Sequence, residues 1–303
     1  MSATHDTEQG GTVEAPQVVT SGLLRRWPLP FSDGDKDSQG RVLVVGGSVA
    51  TPGAVRLAGE AAFRAGAGKV RILTAHQVAP TMAVTFPEAY VLGLPTNADG
   101  NLSVEGAQRI IEEAGRVDAV LFGPGMNDVD AAVALAGAVI PALQGTLCLD
   151  ALGMAYVTEN GDAVAHLAGR AVLSPNANEL SFTLGLDGER PTDLAAATGQ
   201  LAARTGAVVV SGAATSYVVT PEGRAWADDS GGPSMAVAGS GDVKSGIITG
   251  LLARGADPKQ AAVWAAYVHG RCGERLASAY GRRGYLAHEL LAVVPQVVTE
   301  LEA

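Results

Sequence analysis

Short, wholly apolar runs that stop at turn residues recur along this chain and leave it few ways to fold. RVLVVGG (41–47), VDAVLFGPG (117–125) and AVVVSGAAT (207–215) run into glycine. KVRILTA (69–75) reads as a further strand, and TLCLDA (146–151) and AVLSPNANE (171–179) as strands that stop at polar or proline residues. Polar residues do not alternate with apolar ones, so both faces of such strands have to be covered. A parallel sheet between helices does that. Alanine-rich stretches at 53–68, 130–143 and 192–205 supply the helices, the last with Thr192 or Asp193 available as its cap. A hairpin is expected around Pro221-Glu222-Gly223, and three helices near 242–254, 258–279 and 285–296 close the chain. The expectation is an α/β fold with a mostly parallel sheet, as one domain over 19–303 after a disordered polar tail at 1–18.

The 39 glycines sit mostly at the edges of the apolar runs, as tight strand–helix turns require. A net charge of -10 argues against nucleic acid or an anionic membrane as the main partner. It leaves room for a phosphorylated ligand held by backbone N–H groups and a cation. Cys148 and Cys272 lie in apolar contexts without C-x-x-C spacing, so both read as buried free thiols of a reducing, cytoplasmic setting. The start, MSATHDTEQGGTVEAP, lacks a basic segment followed by an apolar one and does not read as a signal.

In parallel sheets, ligands bind at the carboxyl ends of the strands. The turns there are Gly46-Gly47, Gly123-Pro124-Gly125, Pro175-Asn176, Ser211-Gly212 and Gly239-Ser240-Gly241. Known loops fail on spacing. Lys244-Ser245 resembles the end of a phosphate-binding P-loop, but Val243 stands where that loop needs glycine. GGSVATPG lacks the dinucleotide-binding glycine pattern, and neither Ser48 nor Ser240 lies in a nucleophile elbow. The five histidines have no metal-ligand spacing.

AGSGD (238–242) precedes a strong helical stretch. Small residues there leave Gly239, Ser240 and Gly241 able to turn backbone N–H groups toward an anion at a helix N-terminus. Asp242 stands beside that pocket, either as a base for a hydroxyl that attacks phosphorus or simply as a helix cap. Asn176 and Glu179 form an N-x-x-E that either organises a hydrated Mg²⁺ beside phosphates or caps the helix after a strand. The two motifs together favour a nucleotide site.

These segments resemble the ATP/ADP-dependent NAD(P)H-hydrate dehydratases of the ribokinase-like superfamily, over about residues 22–298. The resemblance is carried by KDSQGRVLVVGGS (36–48), TPGAVRLAGEAAFRAGAGKV (51–70), LFGPGM (121–126), LDAL (149–152), LSPNANE (173–179), VVVSGAAT (208–215), AGSGDVKSGIITGLLARG (238–255) and AAYVHG (265–270). It implies a ribokinase-like three-layer sandwich. It also implies repair of hydrated NADH and NADPH, in which ATP or ADP with Mg²⁺ phosphorylates the ring hydroxyl and loss of phosphate restores the ring. Asp242 becomes the base, and Gly239, Ser240 and Gly241 the anion pocket. Ala54, Gly125, Asn176 and Asp242 fall to the substrate. Ser211, Gly212, Ala213, Thr215 and Gly241 fall to the nucleotide. A homo-oligomer, such as a tetramer, is implied, and no accompanying epimerase domain is expected. A small-molecule kinase of the same superfamily, or a weakly active nucleotide-binding homologue, are the competing readings.

The chain departs from the family pattern at particular positions. Asp35-Lys36-Asp37 replaces histidine-lysine-glycine, Ser211 replaces a lysine, Asn176 a histidine and Gly153 an asparagine, while Lys244 stands at an apolar position. A lost charge-assisted phosphate contact costs about 1.5–3 kcal/mol. Either the site is weakened or another cation compensates. Lys244 lies two residues beyond Asp242, off its helical face, and reads as a solvated lysine, a phosphate contact or a partner contact.

Overall fold

The computed structural model describes residues 13–302 apart from 32, 33, 35, 37, 187 and 188. The strands are β1 (Gln17–Val18), β2 (Arg41–Val45), β3 (Lys69–Ala75), β4 (Tyr90–Leu94), β5 (Ala119–Phe122), β6 (Thr146–Leu149), β7 (Ala171–Leu173), β8 (Val208–Gly212), β9 (Ser216–Val219) and β10 (Ala225–Asp228). The helices are α1 (Ser21–Arg25), α2 (Gly53–Arg64), α3 (Ala79–Thr85), α4 (Ala107–Ala114), α5 (Val129–Val139), α6 (Gly153–Glu159), α7 (Ala177–Thr183), α8 (Leu194–Thr205), α9 (Ser240–Ala253), α10 (Pro258–Tyr280) and α11 (Ala287–Glu302).

All ten strands join one sheet in the order β1-β10-β9-β8-β7-β6-β5-β2-β3-β4. Only the β8–β9 and β9–β10 pairs are antiparallel, where the expected hairpin turns at Pro221 to Gly223. Along β2, Val42 and Val44 enter one apolar layer with α2, α9, α10 and α11, while Leu43 and Val45 enter the other with α4 to α8. Burial on both faces explains the absence of polar alternation in the run. The result is a helix–sheet–helix sandwich of three layers.

Two differences from the sequence reading concern the chain's start and its short elements. Gln17 and Val18, placed in the tail, pair in parallel with Trp226 and Ala227, and the Glu14 N–H donates to Gly223 O at 2.9 Å. Residues 1–12 of the expected tail lie outside the described residues. The region 76–116, unassigned from sequence, holds α3, β4 and α4; β4 is an edge strand and its half-exposed residues blur the apolar signal. Cys148 and Cys272 are buried and free, and burial pushes the Cys272 thiol up to about 12.

The strand order reverses between β2 and β5. β2 leads to β3 and β4 on one side, and the chain then returns to lay β5, β6, β7 and β8 on the other. Such a switch point opens a crevice at the strands' carboxyl ends. There Gly47 N–H donates to Pro124 O at 2.7 Å. A Cβ on Gly46 would lie 2.1 Å from that same oxygen, so only glycine admits the approach.

Candidate active site

Helix α9 is set in place by its glycines. A Cβ at Gly246 would lie 2.3 Å from Ala58 O, and one at Gly250 2.6 Å from Ala62 O. The backbones of α2 and α9 therefore touch in parallel register, and the same register carries Asp242 to the level of Ala54. Since α2 begins just after β2, both helix N-termini lie at the carboxyl edge of the sheet.

Gly239 is the N-cap of α9, at φ 88°, a left-handed conformation that disfavours any residue with a Cβ. It has no side chain to cap with; Ser240 N–H donates to Val237 O at 3.0 Å, and the next N–H groups of the first turn, Gly241 and Asp242, remain available to a ligand. Asp242 is the third residue of the helix and not its cap, which removes the capping explanation for this acid. A Cβ at Gly241 would meet nothing within 4 Å, so that residue faces open space. The space is a cleft of about 650 Å³ lined at this end by Ser240, Gly241 and Lys244, and on its far walls by Asn176, Gly212 and Ala213. Ser240 is buried, and its hydroxyl lies 2.9 Å from His269 Nε2. Burial first, and then Lys244, hold the His269 imidazole down at about 3, so the ring is neutral at physiological pH.

Three acids converge behind the cleft. Asp150 follows β6 and is buried; burial first, and then Glu179, push its carboxyl up to about 7. Burial likewise raises Glu179 on α7. Burial and then Glu179 push Asp242 up to about 6, which poises it to accept a proton near neutrality. Lys244 opposes the shift at Asp150 and Glu179.

Asn176 and Glu179 turn out to cap α7. Asn176 Oδ1 accepts the N–H groups of Asn178 and Glu179, each at 2.9 Å, and Glu179 Oε2 accepts the Asn176 N–H at 2.9 Å. The amide oxygen of Asn176 is thereby engaged by two N–H groups, while Glu179 keeps a second carboxylate oxygen. Among the described residues no three His, Cys, Asp or Glu form a metal cage. An excess of acidic groups over the single nearby lysine does suit a hydrated divalent cation bridged to phosphates, since Mg²⁺ keeps several waters.

The other substrate positions lie at the switch point. A Cβ on Gly125 would sit 2.8 Å from Ala54 Cβ and 2.6 Å from Thr51 O, at φ 69°, so Ala54 and Gly125 are brought together as expected. Around them runs a neutral network absent from the sequence reading. Asn127 Nδ2 donates to Ser48 Oγ and Thr51 Oγ1, each at 2.9 Å, and Thr51 Oγ1 donates to Gly125 O at 2.7 Å.

Of the nucleotide positions, Gly212, Ala213 and Gly241 line the cleft. Ser211 does not. Its side chain is fully buried, with Oγ 2.5 Å from Thr198 Oγ1. Thr215 is also off the lining, donating to Asp229 Oδ1 at 2.8 Å. Lys36 is exposed, whereas Asp35 and Asp37 lie outside the described residues. Gly153 packs where a Cβ would meet Phe122 O at 2.5 Å, so an asparagine does not fit this backbone. Sequence reasoning missed Asp150, His269 and Asn127. Asp150 was signalled by an acid directly after an apolar strand. His269 and Asn127 find partners 29 and 79 residues away, which no local spacing reveals.

The mostly parallel three-layer sandwich is the ribokinase-like fold. A ribokinase-like superfamily protein from Enterococcus faecalis superposes with a TM-score of 0.81 at 22% identity, covering 99% of this chain and 100% of that one. Within the class, the family model for NAD(P)H-hydrate dehydratase matches residues 42–296. The ADP-dependent (S)-NAD(P)H-hydrate dehydratase of Xanthomonas campestris is 40% identical over 94% of this chain and 97% of its own length. The ADP/ATP-dependent NAD(P)H-hydrate dehydratase of Bacillus subtilis, co-crystallised with ATP and Mg²⁺, matches with a TM-score of 0.77 at 26% identity, over 95% and 99% of the two chains. The chain spans about half the length of the bifunctional NAD(P)H-hydrate repair enzymes that it also matches. This chain belongs to the NAD(P)H-hydrate dehydratase family, whose reaction is that of a lyase, and the sugar- or vitamin-kinase reading is set aside.

Proposed function

We propose that this protein returns hydrated NADH and NADPH to the reduced cofactors with an adenine nucleotide as phosphoryl donor, and that Asp242 is its catalytic base. The observation that carries the reading is the position of Asp242. It stands within the first turn of α9, beside the cleft-lining Gly241, and the α2–α9 register sets it level with Ala54. Its carboxylate accepts no hydrogen bond among the described residues, and burial raises it to about 6.

The nucleotide lies along Gly212 and Ala213, with its terminal phosphate over Gly239, Ser240 and Gly241. There the backbone N–H groups of Gly239 and Gly241, with that of Ser240 already given to Val237 O, stabilise negative charge on the transferring phosphoryl group. The hydrated ring lies against Ala54 and Gly125. Asp242 takes the proton of the ring hydroxyl as that oxygen bonds to phosphorus, and the bond from phosphorus to the nucleotide's bridging oxygen breaks. The new C–O–P ester then loses phosphate with the electron pair of the C–O bond. The neighbouring ring carbon releases a proton, and the ring double bond returns. Mg²⁺, held through water by Glu179 and Asp150, would neutralise phosphate charge. His269 holds the Ser240 hydroxyl in place.

The test is to mix the protein with hydrated NADH, Mg²⁺ and either ATP or ADP, and to follow recovery of reduced-nicotinamide absorbance. Recovery with at least one nucleotide is expected. No recovery with either, or a stable phosphorylated product, overturns the reading.

A further inference from the structure

Two positions treat positive charge unusually in this chain. At position 211 the resemblance calls for a lysine, but the serine there is turned away from the cleft and closed onto Thr198. At position 244, where an apolar residue is usual, a lysine stands inside the site.

Lys244 follows Ser240 and Gly241 by four and three residues, so all three share one face of α9. All three line the cleft. Lys244 is half-buried and forms no ion pair among the described residues, so its ammonium is not committed to a structural partner. The other basic side chains of the lining do not substitute for it. Arg190 Nε donates to Asn178 Oδ1 at 3.3 Å, on the opposite, α7 side, and the His269 ring pairs with Ser240.

We infer that Lys244 is the phosphate-binding cation of this cleft, its ammonium contacting the terminal phosphate laid over the N-terminus of α9, in the role the family gives to a lysine at position 211. The assignment rests on the nucleotide reading above. The surrounding charges agree with it. Lys244 lowers the carboxyls of Asp150 and Glu179 and the imidazole of His269, so its charge lies within reach of these groups.

Calorimetric titration of the full chain with ATP and with AMP, for the wild type, Lys244→Met and Lys244→Arg, tests the assignment. Lys244→Met is expected to weaken ATP about 10- to 100-fold, the range of a charge-assisted contact. AMP affinity stays within about twofold, because AMP lacks the terminal phosphate, and Lys244→Arg keeps most of the ATP affinity. The salt dependence of ATP binding becomes shallower in Lys244→Met. ATP affinity unchanged in Lys244→Met, beside a wild type that binds ATP, overturns the assignment alone. Equal weakening of ATP and AMP overturns it as well, marking a structural role. A wild type that binds neither nucleotide overturns this inference and the nucleotide reading together.

Discussion

The two halves of the site sit on the same edge of the sheet and are built from opposite materials. At the α9 end, burial and neighbouring charges shift the proton affinities of Asp150, Glu179, Asp242 and His269. At the switch point, Ser48, Thr51 and Asn127 form a neutral lattice of hydroxyls and an amide around Gly125. The contrast teaches a division of labour. Charges withdrawn from water act strongly on developing charge, whereas neutral hydrogen bonds fix shape at small electrostatic cost. The register of α2 on α9 is one of the contacts that join the halves.

The sharpest attempt to break this contrast is Asp242→Asn. Loss of a positioned base should lower kcat by about 10²- to 10⁴-fold while nucleotide and hydrate affinities stay within about twofold. In the wild type, kcat/KM should rise with pH through about 6 as Asp242 loses its proton, an inflection shared with its acidic neighbours. Single-turnover kinetics across pH checks both points, and a profile flat between pH 5 and 8 would exclude Asp242 as the base.

Gly246→Val attacks the joint itself. With Ala58 O already 2.3 Å from the added Cβ, the helices have to part, costing about 3 kcal/mol. Urea unfolding reads the loss. Full stability would mean that the α2–α9 contact does not hold the two halves in register.

Asn127→Ala removes two hydrogen bonds from the neutral half. A loss of about 1 kcal/mol in stability is expected. Steady-state kinetics should show KM for the hydrate rising several-fold with kcat and nucleotide KM nearly constant. A fall in kcat alone would merge the halves functionally.

The smallest effect concerns stability against pH. Asp150 is raised from its ordinary range to about 7 in the folded protein, so the fold binds its proton more tightly than the unfolded chain does. Its contribution is therefore complete in acid and is lost as pH rises through about 7. Asp150→Asn should match the wild type in thermal midpoint near pH 4 and exceed it at pH 8. His269 acts oppositely. Depressed to about 3, it favours the fold above the ordinary histidine range, and that support is lost as pH falls toward 3.

Much of this architecture was legible locally. The strand at 69–75 was marked to the residue, because its apolar residues Val70, Ile72 and Leu73 sit between a glycine before and a helix start after. AGSGD announced an open helix N-terminus through small residues alone. Asn176 and Glu179 carried two meanings in sequence, cation site and capping box, because an N-x-x-E suits both. The structure forms the cap and leaves a second oxygen of Glu179 beside it. β4 escaped notice because an edge strand is half exposed and need not be uniformly apolar.

Periodicity, glycine placement and turn chemistry are properties of neighbouring residues, so the order of strands and helices and the anion-binding turn follow from the chain itself. Which carboxylates share a charge environment is a property of distance in space. Asp150, Glu179 and Asp242 come from three separate strand–helix connections, and only the sheet order brings them together. The same holds for lysine. The sequence records a serine at 211 and a lysine at 244, but only the packed structure turns the first onto Thr198 and the second into the cleft.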